Sequence, residues 1–226
     1  ITDIDKLIER YSDFKFEDFK VEHFPGTPFS AVDTDPSQQE ILATLGTDSR
    51  KIIQGPPGTG KTYTASHIIA ELLRAKKKIG ITSNSHKAIN NLIEKVHEVL
   101  TDKKQREQFI LYKINSKKED EFLEKTKCEY AAGATPFFKK KNREYDLVGG
   151  TAWFFSATGA IDQFDYLFIE EAGQFSLANA IATQRSAKNL VLLGDQMQLE
   201  QPMQGTHPDE ISESALGHYL KDIAAV

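Results

Sequence analysis

Eight consecutive residues, Gly55-Pro56-Pro57-Gly58-Thr59-Gly60-Lys61-Thr62, place three glycines, one cation and two hydroxyls at fixed spacing. Glycines allow successive backbone N–H groups to converge on an anion, and a helix beginning near Lys61 adds the positive end of its dipole. The run sits between an apolar segment, Lys51 to Gln54, and a helical pattern, which is the strand, loop and helix context this kind of phosphate binding requires. The chemistry implied is capture of a nucleoside triphosphate, with Lys61 bridging the β- and γ-phosphates and the Thr62 hydroxyl on Mg²⁺.

A second group is the carboxylate pair Glu170-Glu171, delivered by the apolar run Tyr166 to Ile169. Side chains alternate along a strand, so two adjacent charges cannot both enter a core, and the pair marks the strand's exit at a ligand. One carboxylate would support Mg²⁺ and the other would orient or deprotonate the attacking water. The run Leu190 to Leu193 ends in Gly194, Asp195 and a downstream Gln198. That segment could be only a turn, yet one strand away from the carboxylates it is well placed to sense the γ-phosphate. Lys78 to Thr82 opens into Ser83, Asn84, Ser85, His86 and Lys87 before a helix. Such a helix start suits a phosphate oxygen of a polymer, while Ser85 could equally be nothing more than an N-cap.

Positioning these groups requires short β-branched runs alternating with longer helical patterns, the signature of a parallel sheet covered on both faces. Strands are expected at Lys51 to Gln54, Lys78 to Thr82, Leu147 to Thr151, Tyr166 to Ile169 and Leu190 to Leu193. Helices are expected at Pro36 to Leu45, Lys61 to Ala75, His86 to Leu100 and Ser176 to Ala187. In the second of these, Ile68, Ile69, Leu72 and Leu73 form the stripe that lies on the sheet. The stretch from Thr101 to Asp146 is too long for an ordinary connection and holds its own candidate strand (Phe109 to Ile114) and helix (Lys117 to Thr126). It reads as an inserted subdomain with Phe137 to Arg143 at its tip. The cations Lys139, Lys140, Lys141 and Arg143 there would contact a phosphate backbone, or simply form a solvated loop.

Composition bounds the class. With 226 residues and 39% hydrophobic content the chain can bury one large α/β core. No apolar run approaches the ~20 residues that span a bilayer, so a soluble, intracellular and cytoplasmic protein without a membrane partner is expected. Cys128 is the single cysteine, which excludes an intrachain disulfide and a Cys-rich zinc site. The net charge of −5 argues against a nucleic-acid clamp over the whole surface. It leaves room for a local groove, since Thr101 to Leu147 carries twelve basic against nine acidic residues.

Taken together, the motifs resemble those of superfamily one helicases, in the branch that includes the nonsense-decay helicase. Asp35-Pro-Ser-Gln-Gln39 looks like the Q motif, 55–62 like motif I, Thr82 to Leu92 like motif Ia, and Gly149-Gly-Thr-Ala-Trp153 like motif Ic. Glu170-Glu-Ala-Gly-Gln174 looks like motif II and Gly194 to Pro202 like motif III. His86-Lys-Ala-Ile-Asn-Asn91 and Gln204-Gly-Thr-His-Pro208 are similar in wording to bacterial proteins that join such a helicase to a RecB-like nuclease.

The resemblance implies a P-loop, RecA-like α/β fold using ATP and Mg²⁺. Residues 1–34 would precede the motor core, 35–226 would form the ATP-binding domain, and 101–146 would be inserted within it. Gln38 would read adenine, Thr62 and Glu170 would hold the metal, Glu171 would activate water and Gln198 would sense the γ-phosphate. Ser85, His86 and Thr151 would face a single strand of DNA or RNA. Motif II of the family begins with Asp, where this chain has Glu170, which puts magnesium affinity in question. The chain closes at Val226, soon after motif III, so a first motor domain is expected whose partner would be a second RecA-like domain, with a nuclease domain possible in the same longer protein. The competing readings are a P-loop ATPase with no nucleic-acid role and a nucleotide-gated binding module with impaired turnover.

Overall fold

A computed structural model describes residues 50–55, 58–140, 142–195 and 214–218. Seven parallel strands form one sheet: β1 (Arg50–Gln54), β2 (Ile79–Thr82), β3 (Leu111–Ile114), β4 (Glu129–Ala131), β5 (Leu147–Gly149), β6 (Phe164–Ile169) and β7 (Ala187–Gly194), in the order β1-β7-β6-β2-β5-β3-β4. The helices are α1 (Lys61–Arg74), α2 (His86–Asp102), α3 (Asp120–Thr126), α4 (Ala134–Lys139), α5 (Ala152–Phe155) and α6 (Leu177–Gln184). Each expected strand and helix from Lys51 onward is present with ends shifted by a few residues. The helix expected at Pro36 to Leu45 lies outside the described residues.

Alternation along the strands sorts the core into two layers. Tyr166, Phe168, Val191 and Leu193 face the stripe of α1 (Ile68, Ile69, Leu72, Leu73) and the buried face of α2 (Ile89, Leu92, Ile93, Val96). Leu167, Ile169, Leu190 and Leu192 face the opposite layer, built from Phe137, Phe154, Phe155, Phe175 and Leu216. Among the described residues no helix is long and apolar enough to cross a membrane.

The 101–146 segment is attached to the main sheet. β3 pairs with β5 through Leu111 and Leu147, and β4 extends the edge through Tyr112 and Glu129. Arg106 secures this extension from inside: its guanidinium donates to the carbonyls of Thr126, Lys127 and Phe109 at 2.7 to 3.2 Å, and its Nε also lies 3.1 Å from His97 Nδ1. Thr126 and Lys127 end α3, where unpaired carbonyls and the helix dipole favour a cation. The expected tip is more ordered than a solvated loop: Phe137 is buried, and Phe138 stacks on Phe154 with centroids 5.2 Å apart.

Candidate functional site

The phosphate loop leaves the carboxyl end of β1, where the Gly55 amide donates to the Gly194 carbonyl at the end of β7. Gly58 and Gly60 have φ of 82° and 86°, values a residue with a Cβ adopts only with strain. Gly55 is required for a different reason, since a Cβ there would lie 2.7 Å from Thr59 Oγ1. Gly60 caps α1, whose first turn holds no acidic residue and whose last turn holds Arg74. A helix start of this kind directs its first N–H groups toward an incoming anion. Pro56 and Pro57 lie outside the described residues. Lys61 Nζ donates to the Gly55 carbonyl, so the ammonium already sits at the mouth of the loop.

The carboxylate pair separates in geometry. Glu170 is 7% exposed, and its Oε1 accepts a 2.7 Å hydrogen bond from the Thr62 hydroxyl across 108 residues of sequence. Its Oε2 is buried without a partner. Burial raises the Glu170 carboxyl above the ordinary carboxylate range; the Thr62 hydrogen bond opposes that rise, Glu171 adds to it and Lys61 opposes it. A hydroxyl and a buried carboxylate with a spare oxygen fit a small divalent cation, which takes oxygen ligands and completes its shell with water and phosphate. The longer Glu side chain, at a position where Asp is expected, thus reaches Thr62 directly.

Glu171 has φ 56°, the left-handed region, which costs a residue of its type about 1 kcal/mol or more. It lies on the rim of a cleft of about 830 Å³ together with Gly58, Lys61, Thr62, Ser85 and Glu170. Gln38 and Gln198 lie outside the described residues.

A second cleft, of about 230 Å³, opens at the carboxyl ends of β2, β3, β4 and β5. His86, Asn115, Ser116, Gly133, Thr151 and Trp153 are among the residues lining it. The two residues expected side by side at the strand divide here: Ser85 lines the larger cleft and His86 the smaller. Ser85 is also the N-cap of α2, its Oγ accepting from the Ala88 amide at 3.4 Å. Burial, and then Lys113, hold the His86 imidazole below the ordinary histidine value, with Glu119 opposing, which favours its neutral form.

Glycines bring α2 close to the sheet, for a Cβ on Gly149 would lie 2.4 Å from Ile93 Cδ1 and 2.9 Å from Ile89 Cγ2. Of the tip cations, Lys139 and Lys140 are exposed and Lys141 is outside the described residues. Arg143 donates to the Phe137 and Pro136 carbonyls and lies over the Tyr112 and Phe137 rings, so its guanidinium is engaged within the fold. Two features were not singled out from sequence as site residues, Trp153 and the buried Lys113. Trp153 had a signal, being the single tryptophan inside the Gly149 to Trp153 motif.

The parallel sheet, the glycine loop opening α1 and the buried Thr62–Glu170 pair define a P-loop nucleotide-binding motor domain of RecA-like type. Comparison with known proteins narrows this class. A family model described as an AAA domain matches residues 33–142. The DNA replication ATP-dependent helicase/nuclease JHS1 of Arabidopsis thaliana is 29% identical over 80% of this chain and 13% of its own length. The DNA replication ATP-dependent helicase/nuclease dna2 of Schizosaccharomyces pombe is 32% identical over 66% of the chain and 10% of its own length. Regulator of nonsense transcripts 1 of Dictyostelium discoideum is 28% identical over 72% of the chain and 15% of its own length. These similarities, together with the site geometry, match the chain to the ATP-binding half of superfamily one helicases of the nonsense-decay-helicase-like branch. The chain spans roughly a tenth to a seventh of the length of these relatives.

Proposed function

We propose that the chain is the nucleotide-binding half of an ATP-dependent helicase or translocase that moves along single-stranded DNA or RNA. The observation carrying this reading is the pair of clefts on one sheet edge, divided by the start of α2, with Ser85 in one and His86 in the other. A shift of α2 on nucleotide binding would be felt at both.

In this reading the loop amides and Lys61 hold the phosphates, and Gln38 reads the adenine. Thr62 and Glu170 hold Mg²⁺, which when bound would neutralise charge on the β- and γ-phosphates. Glu171, turned into the cleft by its left-handed backbone, orients and deprotonates the attacking water, while Gln198 senses the γ-phosphate. His86 and Thr151 contact the strand, with Lys139, Lys140 and Lys141 adding a salt-sensitive attraction. Arg143 is removed from that set by its contacts with Pro136 and Phe137.

A motor of this kind completes its hydrolytic site against a second RecA-like domain, whose arginines would contribute about 10³ to 10⁵ in rate by analogy with arginine-finger systems. The 226 residues alone should therefore hydrolyse ATP only in trace. Two relatives are named as helicase/nucleases, and a nuclease domain in the longer protein is part of the proposal.

The test is hydrolysis by the longer protein, with and without single strands, before and after Glu171→Gln. The substitution keeps the side chain's size and removes the base, so ATP binding should persist while turnover falls at least ~100-fold. Turnover at the parental rate would remove Glu171 from the mechanism. Hydrolysis indifferent to single strands would favour an ATPase with no nucleic-acid role.

A further inference from the structure

Trp153 presents a physical anomaly. It belongs to the run Trp153-Phe154-Phe155 on the one-turn helix α5, and the hydrophobic effect acting alone would bury all three rings. Phe154 and Phe155 are 3% and 1% exposed, whereas Trp153, the single tryptophan of the chain, is 88% exposed. The helix that carries it is firmly anchored. Phe154 stacks on Phe138 and packs edge-on against Phe137, while Phe155 packs on Phe164. The indole is thus held out from a rigid base.

Trp153 also lines the smaller cleft, together with His86, Asn115, Ser116 and Thr151. These groups are neutral donors and acceptors, suited to base edges and sugar hydroxyls more than to phosphates. The cleft lies where four parallel strands end, the place where open α/β sheets collect ligands.

We propose that Trp153 is a stacking platform for one base of the bound strand, whose edge and sugar lie along the His86–Thr151 cleft. The assignment rests on the strand-binding reading above. Every base has a π-face, so the contact would be tolerant of sequence, as a translocating motor requires. Because the residue is exposed, its replacement leaves the fold intact.

The experiment is a titration of the 226-residue chain, without nucleotide, with oligothymidylate and with an abasic oligonucleotide of the same length. Indole fluorescence, excited beyond the tyrosine absorption so that it reports Trp153, is read beside the anisotropy of the labelled oligonucleotide. Oligothymidylate should quench the indole saturably, and the abasic strand should not. Trp153→Ala should weaken oligothymidylate binding by about ten-fold or more, with Trp153→Phe retaining most of the affinity. Binding seen by anisotropy with an unquenched indole and an unchanged Trp153→Ala affinity would overturn the stacking assignment and leave the strand-binding reading standing. No anisotropy change with either oligonucleotide would overturn both.

Discussion

At the scale of single residues, burial decides which charges are used. Lys113 on β3 is 1% exposed, its Nζ has no hydrogen-bond partner, and it lies over the Phe122 ring at 5.9 Å from the centroid. Burial brings its ammonium from 10.5 down to about 8, a shift that Glu119 partly opposes. Between those two values the unfolded chain binds more protons than the folded one, so stability rises with pH across that window. Below it both states are protonated and the full cost of burying the charge remains, on the order of 3 kcal/mol. Lys113→Met should therefore stabilise the fold near neutral pH by about 1–3 kcal/mol and abolish the alkaline gain. Urea denaturation of both proteins at pH about 7 and about 10 checks this; a parental protein whose stability is flat or falls over that range relative to the variant would contradict it. Glu171 shares its left-handed backbone with Lys76, Lys104, Lys127, Asn142 and Asp162, and what sets it apart is that it lines the larger cleft.

At the scale of elements, most of the sheet was legible in the sequence because its central strands are continuous apolar runs buried on both faces. Tyr166 to Ile169 and Leu190 to Leu193 read as strands for that reason, and α1 read as a helix from its 3.6-residue stripe. The edge was harder. β4, Glu129–Ala131, is three residues long with an exposed first residue, and α4 and α5 have six and four residues, all too short for periodicity to register. Phe137 and Phe138 looked like a loop's anchor because their partners, Phe154 and Tyr145, arrive only through the tertiary fold. The glycines of Gly149-Gly150 read as a motif and prove to be a packing requirement as well. Gly149→Ala should force α2 away from β5 and cost about 1–3 kcal/mol, because Ile93 and Ile89 occupy the space a methyl would need. A urea midpoint equal to the parent's would show that α2 sits less tightly on the sheet than described.

At the scale of the whole molecule, one sheet edge carries both clefts, and the chemistry of each follows from which strands end there. β1, β6 and β7 bring the phosphate loop, the Glu170–Glu171 pair and Gly194 together, although 108 residues separate Thr62 from Glu170. The types of these residues, and through the resemblance the division of roles between Glu170 and Glu171, were readable from sequence; the burial of Glu170 against Thr62 and the left-handed backbone of Glu171 were not, because they depend on the backbone turn after Ile169. The central claim is that this edge binds a nucleoside triphosphate through the 55–62 loop. The most direct measurement is a titration of the 226-residue chain and its Lys61→Ala variant with a fluorescent ATP analogue in the presence of Mg²⁺. Removing the loop's only side-chain cation should leave the fold intact and weaken binding by about 10- to 100-fold, the scale of a lost charge-assisted hydrogen bond. Equal affinities for the two proteins would contradict the assignment of this loop as the nucleotide site.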